Sequence, residues 1–414
     1  MLTHRFPYPP NRGDRIRSYN ILRFVAEHFS VSLGCTSDEP IAHEELGHIQ
    51  AMVREMHIGP LKPANRYVNG LRSLAKGQSL TEGMFASSAL ASQVCRWQRE
   101  RPFDAVLVFC SSMFPYIDNS VYAQSNVVVD LVDVDSEKWR EMASSTRNAK
   151  RWLFNTESKR VRRLEQRIAD RASAVTLVSE LEADLYKACV NVPADTYVEG
   201  FSNGVDTNYF YGSSLKEDAI DEDCDLHEHA DSNLEQPTRL VFTGVLDYAP
   251  NVDGVVWFCE EVLPLLRRTG NFVLSIVGRR PTQQVLDLGQ DAHVDIRANV
   301  PDVRPYLRSA DIAISPLHLA RGIQNKVLEA MSMGLAVVAT HQSAEGIEAV
   351  DGRHLVVADS SQEWSLALQR LVQDTKMRNE IGAAARELVV RKYSWASRLA
   401  PLKNILRSRL SVET

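Results

Sequence analysis

The feature that most constrains the fold is a regular alternation of short apolar runs with helical patterns in the second half of the chain. The apolar runs are RLVFTG (239–244), FVLSIVG (272–278), DIAISPL (311–317), LAVVAT (335–340) and HLVVAD (354–359). Continuous apolar strands that alternate with helices are typical of a parallel sheet covered on both faces. The second half therefore predicts a doubly wound α/β domain.

The first half repeats this pattern less regularly. Its candidate strands are VSLGC (31–35), FDAVLVF (103–109), NVVVDLV (126–132) and AVTLVS (174–179), and a long helical region fills 136–171. The sequence SNGVDTNYF (202–210) interrupts the pattern, so we place a domain boundary near Asn203. We expect two Rossmann-like domains that face a cleft, over 1–203 and 239–375, with a linker over 204–238. The helices of 376–414 are expected to return to the first domain.

Charge is unevenly distributed along the chain. Residues 212–237 hold nine acids and one base, a net charge of −8, so the remainder of a chain of net charge −6 sums to +2. Such an acidic run predicts a solvated, mobile loop that is dispensable for the protein's activity. Cys224, His227 and His229 lie within it, but a zinc site lacks a fourth ligand at suitable spacing.

A second charged segment has the opposite sign. Residues 138–171 carry eleven bases and four acids, with Trp139, Trp152 and Phe154 among them. This composition suits an anionic membrane surface. An ordinary solvated helix is the plain alternative, and a nucleic-acid patch is disfavoured because no recognition motif accompanies it.

The distribution of cysteines and apolar residues indicates the cellular compartment of the protein. The six cysteines are scattered and several lie in apolar runs, which indicates small core residues in a reducing environment rather than a disulfide framework. No signal peptide opens the sequence and no run of 18 apolar residues occurs. We expect a cytoplasmic protein, or one peripheral to the inner membrane.

The most informative stretch is ARGIQNKVLEAMSMG, residues 320–334. A helix over 323–333 would turn Val327, Ala330 and Met331 inward and place Lys326 and Glu329 together on another face. Arg321 and Gly322 precede it, and a helix N-terminus with nearby bases suits a diphosphate. Glu329, one turn further, suits a pair of ribose hydroxyls. The alternative is a solvated Lys–Glu pair on an amphipathic helix.

Three acids follow the strand at 126–132. Asp130, Asp133 and Asp135 lie where α/β sheets place their ligands, at the carboxyl end of a strand. Asp133 is our candidate for a contact with a ligand bound at this edge, and a divalent metal is a weaker reading. The structural alternative is that Asp135 or Ser136 caps the helix that follows.

At this point a resemblance becomes specific. NKVLEAMSMG resembles the C-domain motif of glycosyltransferase family 4, whose members have the GT-B fold and generally retain anomeric configuration. A narrower resemblance is to the PEP-CTERM/exosortase-associated sugar transferases of bacterial exopolysaccharide loci. It rests on LTHRFPYPPNRGDRIRSYN, LVDVDSEKW, SNGVDTNYF, GVLDYAPNVDGVVWF, VGRRP, VPDVRPYLRSADIAISPL and ARGIQNKVLEAMSMG, which run in order from residue 2 to 334, with a weaker match at KYSWASRL (392–399).

The resemblance implies roles for individual residues. Glu329 would hold the donor ribose, and the donor site would further comprise Gly244, Arg279, Arg321, Gly322, Asn325 and Lys326. The loop PYPPNRGDRIRS matches a glycine-containing turn in which Gly13 lets the backbone approach the donor, with Asp14 and Arg17 facing the cleft. Gly13, Asp14 and Asp133 are thus the catalytic candidates and Arg17 the acceptor-side one. The alternative for the turn is purely structural, with Asp14 as helix N-cap.

Two departures from the family pattern bear on the donor. The first glutamate of the family's pair would fall at Arg321, so the sugar-contacting carboxylate is absent or supplied elsewhere. The basic pair that often follows the first C-domain strand is replaced by GVLDYAPN, which contains Asp247 and no base. Arg279, Arg280, Arg321 and Lys326 are the available substitutes.

The sequence therefore predicts an enzyme that moves a sugar from a nucleotide diphosphate sugar to a glycan or polyprenyl-linked acceptor in exopolysaccharide biosynthesis. Retention is implied by the resemblance alone. No cofactor and no catalytic metal are expected, and nucleic acid is not an expected partner. A nucleotide-sugar 2-epimerase of the same fold and a non-catalytic nucleotide-sugar-binding protein remain as alternatives.

The start of the chain carries one further expectation. The resembling proteins begin with an apolar strand that runs into the THR-x-PYPP turn, whereas only Met1 and Leu2 precede Thr3. A first strand is normally central in a doubly wound sheet, so its loss would leave neighbouring backbone groups unpaired. Either translation starts upstream, which we favour, or this form is shortened and poorly stable.

Overall fold

The chain forms two compact units. The computed structural model describes residues 1–61, 63–118, 120–146, 149–211, 236–320 and 322–408. One unit comprises Met1–Asn203 together with the chain from Arg398 onward, and the other comprises Gly204–Ser397. Most of the acidic segment, including Cys224, His227 and His229, lies outside the described residues, as does Arg321.

The first unit is built on a seven-stranded parallel sheet of order β3-β2-β1-β4-β5-β6-β7. The strands are β1 (Leu2–Thr3), β2 (Ser32–Ser37), β3 (Glu55–Pro60), β4 (Ala105–Phe109), β5 (Asn126–Val132), β6 (Ala174–Leu177) and β7 (Tyr197–Gly200). The helices are α1 (Gly13–Ala26), α2 (His43–Gln50), α3 (Pro63–Ala75), α4 (Leu80–Met84), α5 (Ser88–Glu100), α6 (Asp135–Ser145), α7 (Ala149–Arg171) and α8 (Glu180–Cys189). Two 3-10 helices, Ser111–Tyr116 and Ser120–Tyr122, follow β4.

The expected first strand is present as two residues in the central position. Leu2 pairs with Gly34 of β2 on one side and with Val108 of β4 on the other. Leu2 and Thr3 are both buried. The turn that carries Gly13 therefore starts directly from the middle of the sheet.

The second unit contains a six-stranded parallel sheet of order β10-β9-β8-β11-β12-β13. The strands are β8 (Thr238–Val245), β9 (Phe272–Arg279), β10 (Val294–Ala298), β11 (Ile312–Ser315), β12 (Ala336–Ala339) and β13 (Val356–Val357). The helices are α9 (Ala249–Trp257), α10 (Leu263–Leu266), α11 (Gln283–Leu288), α12 (Arg304–Ser309), α13 (Asn325–Ser332), α14 (His341–Ala344), α15 (Ser361–Gln373) and α16 (Thr375–Lys392), with a π-helical turn at Phe258–Val262. Helix α17 (Trp395–Arg407) begins in this unit and continues into the first.

Strands missed by the sequence patterns lie at sheet edges. The structure contains β3, β7 and β10, which we did not predict; β3 and β7 are the two edges of the first sheet and β10 is an edge of the second. An edge strand has one paired side and a partly exposed surface, so its sequence need not be continuously apolar. The predicted interior strands lie within a few residues of β2, β4, β5, β6, β8, β9, β11 and β12.

The return of the chain to the first unit begins later than expected. We predicted it from residue 376, but α16 packs on the second unit, where an added Cβ at Gly382 would lie 2.0 Å from the Gly334 carbonyl oxygen. Only the chain from Arg398 belongs to the first unit, so the correction is about one helix. There Asn126 Nδ2 donates to the Ile405 carbonyl at 2.8 Å.

Candidate functional site

The candidate donor site lies at the carboxyl edge of the second sheet, where β8 ends and α9 and α13 begin. Gly244, near the end of β8, lacks the Cβ that would lie 2.9 Å from Asn251 Nδ2 and 3.3 Å from Lys326 Nζ. The glycine thus allows two polar side chains to approach the strand end closely. The carboxyl edge is where open α/β sheets bind their ligands.

Lys326 is held in place on α13 by a residue that the sequence patterns did not single out. Its Nζ donates a hydrogen bond to Asn251 Oδ1 and lies 4.5 Å from the centre of the Phe242 ring. Asn251 is buried, and its own Nδ2 donates to the Val245 carbonyl at 2.8 Å. The available signal was an asparagine at the end of the loop GVLDYAPN, which a structural role explains equally well.

Burial makes this lysine unusual. Its surroundings disfavour the charged ammonium and lower the pKa of Lys326 to about 7, an effect that Glu329 partly opposes. A lysine in this condition gains from a nearby anion, because the anion restores the favourable electrostatics that burial removed.

Glu329 is the complementary group one turn along α13. Burial raises the pKa of its carboxyl to about 7, and the charge of Lys326 partly offsets that shift. Among the residues that the structure describes, none donates a hydrogen bond to this carboxylate. The helix face is as predicted, since Val327, Ala330 and Met331 are buried in the core.

The remaining predicted donor residues lie around the same edge. Asn325 is the first residue of α13, whose N-cap, Gln324, makes no side-chain capping hydrogen bond. Gly322 is exposed and adopts a φ of +66°, which glycine accommodates without strain. Arg279 ends β9 beside Val245 and is exposed.

The loop that lacks the family's basic pair receives a base from the next loop. Arg280 Nε lies 3.2 Å from Asp247 Oδ2, and the Arg280 backbone N–H donates to Asn299 Oδ1 at 2.9 Å. Arg280 therefore already neutralises Asp247. Lys326 and Arg279 are the described cations best placed to face a ligand here.

In the first unit, the turn after β1 forms a charged cluster around Asp14. Arg5 Nη1 lies 2.9 Å, His4 Nε2 3.4 Å and Arg12 Nε 3.5 Å from the Asp14 carboxylate. The hydrogen bond from His4 holds the pKa of Asp14 well below its usual range; burial opposes the shift and the two arginines add to it. Asp14 is not the N-cap that we considered, because α1 begins at Gly13 with Arg12 as N-cap.

Two residues of this turn have consequences for a ligand. Gly13 faces open space, since an added Cβ would meet nothing within 4 Å. His4, which the sequence analysis overlooked, stacks 5.7 Å from the Phe109 ring, and its buried Nδ1 has no hydrogen-bond partner among the described residues. The turn thus retains room for a ligand, while Asp14 is engaged in holding the turn.

Arg17 is part of the core of the first unit rather than a surface contact. Its side chain is 1% exposed and binds both carboxylate oxygens of Asp130, at 3.0 Å from Nε and 2.7 Å from Nη2. Nη1 donates to the Phe201 carbonyl and to Asn203 Oδ1, at 2.7 and 2.9 Å. The acceptor-side role predicted for Arg17 is corrected to a structural one, because no donor is left for a substrate.

Asp133 and Asp135 follow β5 but separate from Asp130. Asp133 pairs with Lys138, while Asp135 accepts a hydrogen bond from Ser111 Oγ at 3.0 Å, and burial raises the pKa of Asp135. Helix α6 begins at Asp135, and neither Asp135 nor Ser136 is its N-cap. No group of three or more His, Cys, Asp or Glu in the described ranges is arranged to hold a metal ion.

Backbone strain marks the same edge of the first sheet. Cys110, after β4, and Val132, at the end of β5, adopt φ values of +71° and +70°. Left-handed backbone is costly for a β-branched residue, and such strain is often found at binding sites. The ends of β4 and β5 are thus a second place where the fold maintains an unusual geometry.

Many basic side chains of the segment 138–171 form ion pairs or hydrogen bonds within the protein. Lys138 and Arg140 form ion pairs with acids on α6 or just before it. Arg162 pairs with Glu137, and Arg167 pairs with Glu82 and Asp118. Arg160 and Arg171 donate to backbone carbonyls. Within the described residues, Lys150, Arg151, Lys159 and Arg163 keep unpaired side chains, and Trp152 is 72% exposed. Across the part of the chain that the structure describes, no helix is both long and apolar enough to cross a bilayer.

The sequence and the fold can be compared with known proteins. Residues 237–374 match a family model described as glycosyl transferases group 1. The match covers the second sheet and helix α13, which carries Lys326 and Glu329. No curated protein matches the chain.

Solved structures resemble the chain over nearly its full length. HepE from Anabaena in complex with UDP has a TM-score of 0.60 at 12% identity, covering 98% of this chain and 99% of its own. HepE has also been solved with UDP-glucose, where the TM-score is 0.57 at 13% identity, over 99% of this chain and 98% of that one.

Two further structures resemble it to a similar degree. A glycosyltransferase from Rickettsia africae has a TM-score of 0.60 at 14% identity, over 100% of this chain and 99% of its own. Sucrose-phosphate synthase from Thermosynechococcus elongatus has a TM-score of 0.59 at 13% identity, over 100% and 99%. With the two parallel sheets, this likeness shows the GT-B fold.

Proposed function

We propose that the protein is a glycosyltransferase that takes its sugar from a nucleotide diphosphate sugar bound at α13. The observation that carries this proposal is the pair Lys326 and Glu329 on one helix face at the carboxyl edge of the sheet. Lys326 is a partly shielded cation, and Glu329 is a carboxylate to which none of the described residues donates a hydrogen bond. The nucleotide ligands of HepE, which shares the fold, also support a nucleotide-sugar donor.

In this proposal each group has a distinct role. Lys326, positioned by Asn251, and the free N–H groups at the start of α13 bind the diphosphate. They stabilise the negative charge that develops on the diphosphate as the sugar leaves, which is electrostatic catalysis. Glu329 accepts hydrogen bonds from the two ribose hydroxyls and fixes the nucleoside.

For the acceptor side we propose the edge of the first sheet that carries Gly13 and Asp133, with a glycan or polyprenyl-linked acceptor in exopolysaccharide biosynthesis. We propose retention, in which the leaving phosphate guides the incoming hydroxyl on the same face, so a dedicated protein base is not required. We also propose that transfer needs no resident cofactor or metal, which insensitivity to EDTA would support.

Glu329→Ala is the direct test of the donor site. Removing a charged acceptor of ribose hydroxyls should weaken UDP binding by about 1–3 kcal/mol, or roughly 5- to 150-fold. Calorimetric titration of UDP and UDP-sugars measures the change. Glu261→Ala is the matched control, since Glu261 is exposed after α9, toward the opposite edge of the sheet.

The outcomes also separate the alternatives. Equal UDP affinity in folded Glu329→Ala and wild-type protein would contradict the donor site. Donor turnover without any acceptor would favour an epimerase, and tight binding with neither transfer nor hydrolysis would favour a non-catalytic protein.

We further propose that the protein is cytoplasmic and contacts an anionic membrane peripherally through α7. Trp152, Lys159 and Arg163 share one face of this helix, and Lys150 and Arg151 add charge in its first turn. These side chains are exposed on α7 and are not consumed by internal ion pairs. Co-sedimentation with vesicles containing phosphatidylglycerol should decrease as salt rises, because screening weakens surface attraction. Equal binding to neutral vesicles would contradict the electrostatic contribution, and Arg96→Gln/Arg99→Gln on α5 serves as a charge-matched control for Arg151→Gln/Lys159→Gln.

A further inference from the structure

A large cavity in the first unit is not accounted for by the donor site. It measures about 800 Å³ and is bounded by α3, α4, α5, the end of β3 and the 3-10 helix that follows β4. Pro60 and Ser112 mark the ends of two strands in its wall, so the cavity opens at the carboxyl edge of the sheet. Its volume is in the range of cavities that hold small-molecule ligands.

The wall of this cavity is cationic. Arg66, Arg72 and Lys76 all line it, and Glu82 is the one acid among its lining residues. The Glu82 carboxylate is already occupied: it accepts from the Ser79 backbone N–H and hydroxyl at 2.8 and 2.9 Å, and it pairs with Arg167. The acid therefore does not neutralise the three bases.

The cations differ in how they are held. Arg66 pairs with Asp38, stacks 5.1 Å from the centre of the Phe85 ring and keeps a buried Nε without a partner among the described residues. Arg72 lies in the last turn of α3 and Lys76 directly follows the helix, one turn later; both are exposed, and neither side chain has a hydrogen-bond or ion-pair partner among the described residues. Like charges at this spacing repel each other, so the helix gains when an anion lies between them.

The rest of the lining is rich in uncharged polar groups. Asn69, Gln78, Ser88 and Ser112, whose side chains carry amides and hydroxyls, also line the cavity. Such groups suit the hydroxyls of a sugar, whereas an apolar ligand would leave them unsatisfied.

We propose that this cavity binds the acceptor and that the acceptor carries an oxyanion next to its sugar. This inference rests on the proposed glycosyltransferase function and names the chemical class of the acceptor. The oxyanion is either the diphosphate of a lipid carrier or the carboxylate of an acidic sugar. Arg72 and Lys76 bind it, while Arg66 closes the inner wall.

The test uses the full chain saturated with UDP, so that the donor site is filled. Sodium pyrophosphate, glucuronic acid and glucose are titrated separately and followed by calorimetry. Pyrophosphate or glucuronic acid should bind and glucose should bind more weakly. Arg72→Gln/Lys76→Gln should weaken anion binding by at least about tenfold, the size expected for the loss of charge-assisted hydrogen bonds, and should leave UDP affinity unchanged.

Arg96→Gln/Arg99→Gln is the matched control, because it removes the same charge from exposed positions of α5 that do not line the cavity. Preference for pyrophosphate identifies the lipid carrier as the source of the anion, and preference for glucuronic acid identifies an acidic sugar. Absence of anion binding, or equal loss in both double variants, would overturn the proposal.

The donor measurement separates this inference from the proposed function. If UDP itself does not bind, the proposed function fails. The anion titration is then repeated with Lys326→Met, so that an anion bound at Lys326 is not mistaken for one bound in the cavity. Anion binding that still depends on Arg72 and Lys76 would then support the cavity alone.

Discussion

The two units each contain a shielded pair of opposite charges, and the pairs differ in how far the fold satisfies them. In the first unit, the Arg17 guanidinium binds both oxygens of Asp130 and two further acceptors, and Thr176 Oγ1 donates to the same carboxylate at 2.8 Å. In the second unit, Lys326 has one neutral acceptor and Glu329 has no donor among the described residues.

The difference shows how the same charges serve opposite purposes. Taking a charge out of water is costly, and the cost is offset when every polar atom finds a partner. Arg17 and Asp130 meet that condition inside the protein, so they stabilise the fold. Lys326 and Glu329 do not, and burial displaces the pKa of each to about 7. Strongly perturbed pKa values are common at binding sites, which is why we propose a ligand for this pair.

The largest expected effect is on the satisfied pair. Arg17→Met leaves the Asp130 carboxylate buried and unpaired, which typically costs about 3–5 kcal/mol. The midpoint of urea unfolding, followed by circular dichroism, should decrease accordingly. Replacing both partners, as Arg17→Met/Asp130→Leu, should restore part of the loss, and a loss below about 1 kcal/mol in the single variant would contradict the structural role.

The open pair should respond in the opposite direction. Lys326→Met removes a poorly solvated charge, so we expect the unliganded protein to melt at a higher temperature, by a shift on the order of 2 °C. The same change should weaken UDP binding by about 10- to 100-fold, because the diphosphate loses a charged donor. Thermal shift with and without UDP measures both effects. The control Lys376→Met, at an exposed position on α16, should change neither the melting temperature nor the UDP affinity. If Lys326→Met binds UDP as tightly as the wild-type protein, Lys326 does not bind the diphosphate and the contrast between the two pairs fails.

The smallest effect is a pH dependence of donor binding at Lys326 and Glu329. Below pH 7 Glu329 gains a proton and accepts ribose hydroxyls less well, and above pH 7 Lys326 loses the proton that attracts the diphosphate. UDP-glucose affinity should therefore be highest near pH 7 and fall by at most about tenfold per pH unit on each side. UDP-glucose is the suitable probe because its diphosphate keeps a constant charge over this range.

Asn251→Asp sharpens this measurement. A carboxylate beside Lys326 should raise the pKa of the lysine, so the decrease in affinity on the alkaline side should begin at higher pH. A flat profile from pH 6 to 8 in the wild-type protein, or one that Asn251→Asp leaves in place, would indicate that Lys326 does not contact the diphosphate.

Much of the architecture could be predicted because interior strands of a parallel sheet are covered on both faces. Their sequences, such as NVVVDLV for β5 and RLVFTG for β8, are apolar throughout and are therefore visible without a structure. Strands β3, β7 and β10 escaped prediction because they lie at edges, where half of the surface stays polar. The short strand β1 is recognisable only from its pairing on both sides.

The candidate site residues likewise include some that the sequence could predict and some that it could not. The face of α13 follows from spacing alone, since residues three apart on a helix are neighbours. Asn251 and His4 could not be found, because an asparagine in a helix turn and a histidine after a strand are common in structural roles. Arg321 and the cluster around Cys224 lie outside the described residues and stay predictions.

By itself, the sequence determined most of the interior strands, the parallel α/β class of each unit, and the common helix face of Lys326 and Glu329. These properties depend on local periodicity, which any reader of the chain can measure. The tertiary structure alone decided which charged side chains have their hydrogen-bonding groups satisfied within the protein. Arg17 and Lys326 are both bases close to the start of a helix that follows a strand, and their sequence contexts look equally suited to a ligand. Asp130 lies 113 residues from Arg17 and Asn251 lies 75 from Lys326, so only folding brings each base to its partner. The number of partners that meet each charge there distinguishes the structural ion pair of Arg17 from the candidate binding site at Lys326.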